Sequence, residues 1–185
     1  GLYGIINGTC NYILSEMTKS NCTFHEALES AQIKGYAERN PALDINGTDS
    51  AHKLAILVFL AFGKFIKMEN IYMEGISHIS HLDIEYANSL NLTIKLLAIA
   101  KKLKDHIEVR VHPTLIPNEH PLSSIPGVFN AVYLNTDPLG EVLISGQGAG
   151  QMAAAMGVIS DLIKLAAQQE NRSLPFLTKL SSESS

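Results

Sequence analysis

Cysteine is scarce in this chain of 185 residues: Cys10 and Cys22 are the only two, too few to build a disulfide framework. No secretory leader opens the sequence, so a reducing, cytoplasmic home is expected. Basic charge is short as well. There are 14 Lys and Arg against 18 Asp and Glu, a net charge of −4, and no basic cluster, which argues against a nucleic-acid partner. The apolar run at 54–62 is far too short to span a bilayer, so no membrane association is expected. His78 and His81 lie three apart without a third ligand in a metal-site pattern, and no metal centre is expected.

What is present suits one compact α+β domain. Hydrophobic residues make up 46% of the chain, enough for a sizeable core. Residues 1–8 read as a short apolar approach ending in a turn, with Thr9 as a cap for a helix over about 11–19. Thr23 and Glu26 form a capping box for a helix to about residue 34, with Leu28, Ala31 and Ile33 facing inward and Gly35 ending it. After a mixed connector at 64–74, a short helix is expected over 81–91. Four strands follow at 93–101, 107–115, 128–135 and 141–145, separated by turns at 103–105, 117–126 and 137–140. Short turns favour antiparallel pairing, so the expected architecture is a mostly antiparallel sheet layered with helices. The domain is expected to run over 1–170, with 171–185 as a polar tail.

The chemistry gathers in one stretch, Gly35-Tyr-Ala-Glu-Arg-Asn-Pro-Ala-Leu-Asp-Ile-Asn-Gly-Thr-Asp49-Ser-Ala-His-Lys53. Pro41, Asn46 and Gly47 break regular structure, so Glu38 and Asp44 are expected on a loop, and Thr48 or Asn46 should cap the helix that follows. Asp49 and Lys53 are four residues apart, which puts carboxylate and ammonium on one helical face. Such a pair is most often a solvated ion pair of little weight. The helix beyond, however, is apolar on every face from Leu54 to Phe62 and is expected to be buried all round, so its charged first turns should open into a site. Three carboxylates around an amine can tune a lysine for proton transfer or hold a zwitterionic substrate.

Two shorter motifs flank this stretch. Asn7-Gly8-Thr9 is a polar hinge that reads either as a plain strand-to-helix turn or as part of a ligand site. Gly146-Gln-Gly-Ala-Gly150 joins the last strand to a helix running to about residue 168, and would let backbone N–H groups approach a phosphate or carboxylate. It departs from the dinucleotide fingerprint, since Gln151 stands where the third Gly belongs, and a tight strand-to-helix connection accounts for it equally well.

Together these motifs resemble the catalytic and dimerisation domain of homoserine dehydrogenases, over residues 4–165. The matching residues are Gly4-Ile-Ile-Asn-Gly-Thr9 with Asn11-Tyr-Ile13; Gly35-Tyr-Ala-Glu38 with Pro41, Asp44, Gly47, Asp49 and Lys53; and the glycine loop ahead of Asp161-Leu-Ile163. The resemblance implies an oxidoreductase that interconverts aspartate semialdehyde and homoserine with NADH or NADPH, in threonine, methionine and isoleucine biosynthesis, acting as a homodimer. It implies that Lys53 is catalytic and meets the reacting oxygen. Glu38, Asp49, Asp44, Tyr36, Thr9 and Gly8 would surround the bound amino acid, and Gly148, Ala149 and Gly150 would belong to a loop closing over the cofactor. The family's Rossmann domain has no counterpart in this sequence. The chain is therefore expected to be the substrate-binding and dimerisation part of a two-domain dehydrogenase, binding no NAD(P)H and inactive alone. A non-catalytic oligomerisation or amino-acid-binding module is the alternative. It would leave Lys53 pairing with Asp49 in solvent rather than projecting into a cavity with Glu38 and Asp49.

Overall fold

The computed structural model describes residues 1–148 and 151–167. The chain divides into two compact units, Gly1–Gly148 and Ala149–Ser185, and of the second the helix Gln151–Ala167 is described. Ala149, Gly150 and the 171–185 tail fall outside the described residues.

Asn7, not Thr9, starts the first helix. Its side-chain oxygen accepts the Cys10 N–H at 2.8 Å, which satisfies one of the orphan donors of α1 (Gly8–Ser20). The capping box of α2 (Phe24–Ile33) forms in both halves, and Gly35, at φ 73°, takes the left-handed position that follows the helix end. Ala27 and Ala31 are buried on this helix, but Ile33 is 80% exposed rather than inward. Two residues past Ala31, it lies about 200° round the helix from that face.

The carboxylate-rich stretch is more regular than a loop. Pro41 accepts the N–H groups of Asp44 and Ile45 at 3.0 Å each, and the one-turn helix α3 (Ala42–Ile45) carries Asp44. Pro41 thus opens a turn instead of breaking one, since its missing N–H is not needed there. Gly47, at φ 85°, then starts α4 (Thr48–Phe62) without a side-chain cap, so neither Thr48 nor Asn46 fills that role. A side chain at Gly47 would press on Val111 and the Glu74 carbonyl as well as strain the backbone. α4 buries Ser50, Ala51, Leu54 and Val58 but leaves Ile56 and Leu60 exposed. It is not buried all round. Only the stripe toward the sheet is covered.

The remaining elements are β1 (Leu2–Ile5), a 3-10 turn at Met68–Asn70, β2 (Tyr72–Met73), α5 (His81–Ser89), β3 (Leu92–Lys102), β4 (Ile107–Pro117), β5 (Phe129–Thr136) and β6 (Gly140–Gln147). Helix α6 is Gln151–Ala167. The six strands of the first unit form one sheet in the order β2-β4-β3-β1-β5-β6. The sheet is mixed, which corrects the expectation of a mostly antiparallel one: β2 runs parallel to β4, while the other pairings are antiparallel. The parallel edge arises because the connector at 64–74 crosses over and lays Tyr72 and Met73 beside Arg110 and Val111. The four-residue β1 sits in the middle, with Tyr3 opposite Ile99 on one side and Tyr133 on the other.

β3 is buried on both faces, and its period of two sends alternate residues to two cores. Ile94, Leu96, Ala98 and Ala100 join the helix-side core with Leu14, Met17, Leu54, Val58 and Ile84. Leu97 and Ile99 join a second core with Ile5, Ile116, Leu122, Ile125, Ala131 and Tyr133. No helix among the described residues is long and apolar enough to cross a membrane.

Lys95 lies on this doubly buried strand and is 3% exposed. Its ammonium donates to Ile125 O at 2.7 Å, Asn11 Oδ1 at 2.8 Å and Ser15 Oγ at 3.5 Å, and no carboxylate pairs with it among the described residues. Burial pushes its pKa down from 10.5 to about 8. Because the folded value lies below the unfolded one, the unfolded chain binds the extra proton between about pH 8 and 10.5, and stability rises with pH across that window. Wild type should therefore gain on Lys95→Met by up to roughly 3 kcal/mol as pH rises through this range, read from urea midpoints. A gap that stays constant would contradict a buried, neutralising amine.

Candidate functional site

The end of β1, the start of α1, the 36–38 segment, α3 and the first turns of α4 meet around two carboxylates. Asn7, 5% exposed, donates its side-chain amide to Asp44 Oδ1 at 2.7 Å and to Asp49 Oδ2 at 2.8 Å. Lys53 Nζ reaches the same Asp49 Oδ2 at 2.7 Å and also donates to Ile6 O at 3.2 Å. The left-handed Gly47 makes this possible, because it folds α3 back against α4 so that carboxylates five residues apart face one amide. Gly75 fixes the other side. A Cβ there would run into the Ile45 carbonyl, and the next residue, Ile76, donates to that carbonyl at 2.8 Å.

The ion pair is partly exposed. The Lys53 and Asp49 side chains retain 48% and 29% of their accessible surface, so the ion pair itself contributes at most about 1 kcal/mol to stability. Two of the three ammonium N–H groups of Lys53 have protein acceptors, and the third has none among the described residues. Beneath the carboxylates, Cys10 is fully buried and its thiol donates to Asp44 O at 3.2 Å. Burial, with the Asp44 and Asp49 charges nearby, pushes that thiol well above its ordinary pKa, so it is a neutral packing group.

Of the other sequence-derived candidates, Thr9, Tyr36 and Gly8 border the start of α1. Thr9 Oγ1 donates to Tyr36 O at 2.7 Å and ties the 36–38 segment to α1, while the Tyr36 ring packs on Tyr12 with centroids 5.0 Å apart. Gly8 sits against the Val128 carbonyl, which a Cβ would approach to 2.8 Å. Glu38 is exposed. Its carbonyl accepts from Gln32 Nε2 at 3.1 Å, but among the described residues its carboxylate joins no hydrogen bond or ion pair, so two carboxylates rather than three share the network. Gly146 and Gln147 belong to β6, and Gly148 follows it, next to the Asn130 side chain, where a Cβ would collide. Ala149 and Gly150 lie outside the described residues.

Asn7 appears in the sequence reading as part of a hinge, not as a site residue. Its signal was available, since an N-cap asparagine directly before Gly8 and Thr9 must project beside them. Asn130 gave no such signal. Its Oδ1 is buried without a donor among the described residues, on β5 opposite Gly146 of β6. No group of three His, Cys, Asp or Glu among the described residues is placed to hold a metal ion.

Comparison with known proteins gives a consistent answer. The family model described as homoserine dehydrogenase matches residues 1–163. A homoserine dehydrogenase of Helicobacter pylori is 50% identical over 175 residues, covering 95% of this chain and 42% of the relative. One from Bacillus subtilis is 43% identical, over 88% of this chain and 37% of the relative. The crystal structure of a homoserine dehydrogenase from Thiobacillus denitrificans superimposes with a TM-score of 0.87 at 44% identity, covering 93% of this chain and 41% of that one. A hyperthermophilic archaeal homoserine dehydrogenase in complex with NADPH gives a TM-score of 0.73 at 29% identity, over 92% of this chain and 48% of that one. The chain thus spans less than half the length of these relatives. On a family match over residues 1–163 and these identities, the chain belongs to the homoserine dehydrogenase family.

Proposed function

We propose that this chain handles the amino-acid substrate of an enzyme that interconverts aspartate semialdehyde and homoserine with NADH or NADPH, in threonine, methionine and isoleucine synthesis in the cytoplasm. One observation carries the reading: Asp49 Oδ2 is shared by Lys53 Nζ and Asn7 Nδ2, with Asp44 on the same amide and the Lys53 side chain half exposed. Homoserine carries an ammonium at one end and the reacting oxygen at the other. Asp44 and Asp49 suit the first and Lys53 the second.

The roles follow from charge. As negative charge develops on the aldehyde oxygen, the free N–H of Lys53 stabilises it and passes its proton to that oxygen; in the oxidation direction the hydroxyl proton returns to the amine. Glu38 and Tyr36, whose side chains are exposed on either side of the buried Ala37, complete the substrate's surroundings with Gly8 and Thr9. Gly148, Ala149 and Gly150 are assigned to the cofactor side. We assign no dinucleotide seat to the described residues: β6, which leads into the glycine loop, is an antiparallel edge strand, unlike the parallel βαβ unit that such seats are built from. Substrate handling is the share assigned to residues 1–170, and 171–185 to a tail. The full-length protein would hold NAD(P)H elsewhere.

Purified full-length enzyme should reduce NAD⁺ or NADP⁺ in a homoserine-dependent manner, and Glu38→Gln should raise the homoserine KM by about tenfold. The 185-residue chain alone should show no turnover. Homoserine-independent behaviour of the full-length protein sinks the reading, and steady turnover by the isolated chain sinks the division of labour. A non-catalytic module draws on the same ion pair, since Lys53 is 48% exposed beside Asp49, and the activity of Lys53→Ala separates the two.

Assembly is proposed to be homodimeric. β6 is an eight-residue edge strand whose Leu143 and Ile144 are exposed, the kind of surface that pairing with a second copy removes. Sedimentation of the full-length enzyme as a monomer at tens of micromolar would count against it.

A further inference from the structure

Asn7 is buried, and both N–H groups of its side-chain amide are committed. Its Oδ1 accepts from the Cys10 N–H at 2.8 Å, and its Nδ2 donates to Asp44 Oδ1 at 2.7 Å and Asp49 Oδ2 at 2.8 Å. The amide cannot be turned round, because the flipped form would face its oxygen to two carboxylates and its NH₂ to an N–H. Capping alone does not demand asparagine at this position, since Asp or Ser caps a helix about as well. Holding two carboxylates as well does demand it. Asp and Ser lack the pair of donors, and Gln is a methylene longer.

Two carboxylates held on one amide repel each other, and the shared NH₂ offsets that repulsion while fixing their separation. Each keeps a second oxygen, Asp44 Oδ2 and Asp49 Oδ1, that no donor engages among the described residues. Asp49 Oδ2 in turn carries Lys53, so a movement of Asp49 also moves the amine. We infer that Asn7 is the positioning residue of the site. It sets the spacing at which Asp44 and Asp49 present their free oxygens to the substrate ammonium, and it registers Lys53 against the same substrate without touching that substrate itself. The inference rests on the assignment of Asp44 and Asp49 as the ammonium's acceptors.

The test uses the full-length enzyme with Asn7→Ser and Asn7→Asp, each alone and combined with Asp44→Ala. Both substitutions keep an oxygen for the Cys10 N–H, and Asn7→Asp also keeps the volume, so the comparison survives if the serine variant folds poorly. Asn7→Ser should raise the homoserine KM about tenfold, with the nicotinamide KM within about twofold of wild type; Asn7→Asp should raise it further by adding a third negative charge. In the Asp44→Ala background the Asn7 penalty should shrink at least about threefold, because the two residues act as a unit. The inference is overturned if both Asn7 variants keep the homoserine KM within about twofold while Asp44→Ala and Asp49→Ala raise it, or if the penalties simply multiply in the double variants. If the aspartate variants themselves leave homoserine kinetics unchanged, the assignment of the ammonium site fails first, and that outcome is distinct.

Discussion

Lys53→Ala in the full-length enzyme should lower kcat and kcat/KM for homoserine together, by about 10² to 10⁴-fold, while the protein stays folded. The two parameters fall together because the interaction lost is one made most strongly in the transition state, when charge sits on the reacting oxygen. The fold survives because Lys53 is half exposed and its loss removes only one half-exposed ion pair and one hydrogen bond, to the Ile6 carbonyl. Loss of such an ion pair changes stability by about 1 kcal/mol or less. A variant that is active within about tenfold and melts normally would demote Lys53 to a surface partner of Asp49 and favour the non-catalytic module.

Asp49→Ala is expected to be the second most damaging change, for a different reason. Asp49 Oδ2 holds both Lys53 and Asn7, so its removal loses a charge-assisted bond on each side and frees both partners. The bond to the buried Asn7 is worth about 1.5–3 kcal/mol, and the half-exposed Lys53 pair adds at most about 1 kcal/mol. The homoserine KM should rise and kcat should fall, for a combined loss in kcat/KM of about 10² or more. Asp49→Asn, which keeps one oxygen but no charge, should fall between. Equal KM values for wild type and Asp49→Ala would show that the substrate ammonium binds elsewhere.

The sequence makes local structure legible here and long-range structure much less so. The Thr23–Glu26 capping box, the Gly35 helix stop and the strands 93–101 and 107–115 depend on neighbours within a few residues, and all appear close to the expected places. β1 is central, yet it is only four residues long. Its partners lie around Ala98 and Val132, far along the chain, so nothing nearby marks it as the middle of a sheet. The parallel β2 edge is hidden for the same reason. Apolar content misleads at Ile33, Ile56 and Leu60, which are hydrophobic by composition but fall on faces with no covering element in this unit. Asp44, Asp49 and Lys53 share a network that spacing suggested, whereas the asparagine that joins the two carboxylates sits some 40 residues earlier, and its place beside Gly8 and Thr9 marks it in the sequence while its two acceptors emerge only in three dimensions.

The central claim is that Asp44, Asp49 and Lys53 grip one amino-acid substrate, and a crystal structure of the full-length enzyme with homoserine bound tests it most directly. The expected result places the homoserine ammonium within about 3.2 Å of Asp44 and Asp49 oxygens and its hydroxyl within the same reach of Lys53 Nζ, with Asn7 still donating to both carboxylates. Homoserine bound away from these carboxylates, or bound with its hydroxyl out of reach of Lys53, would contradict the account.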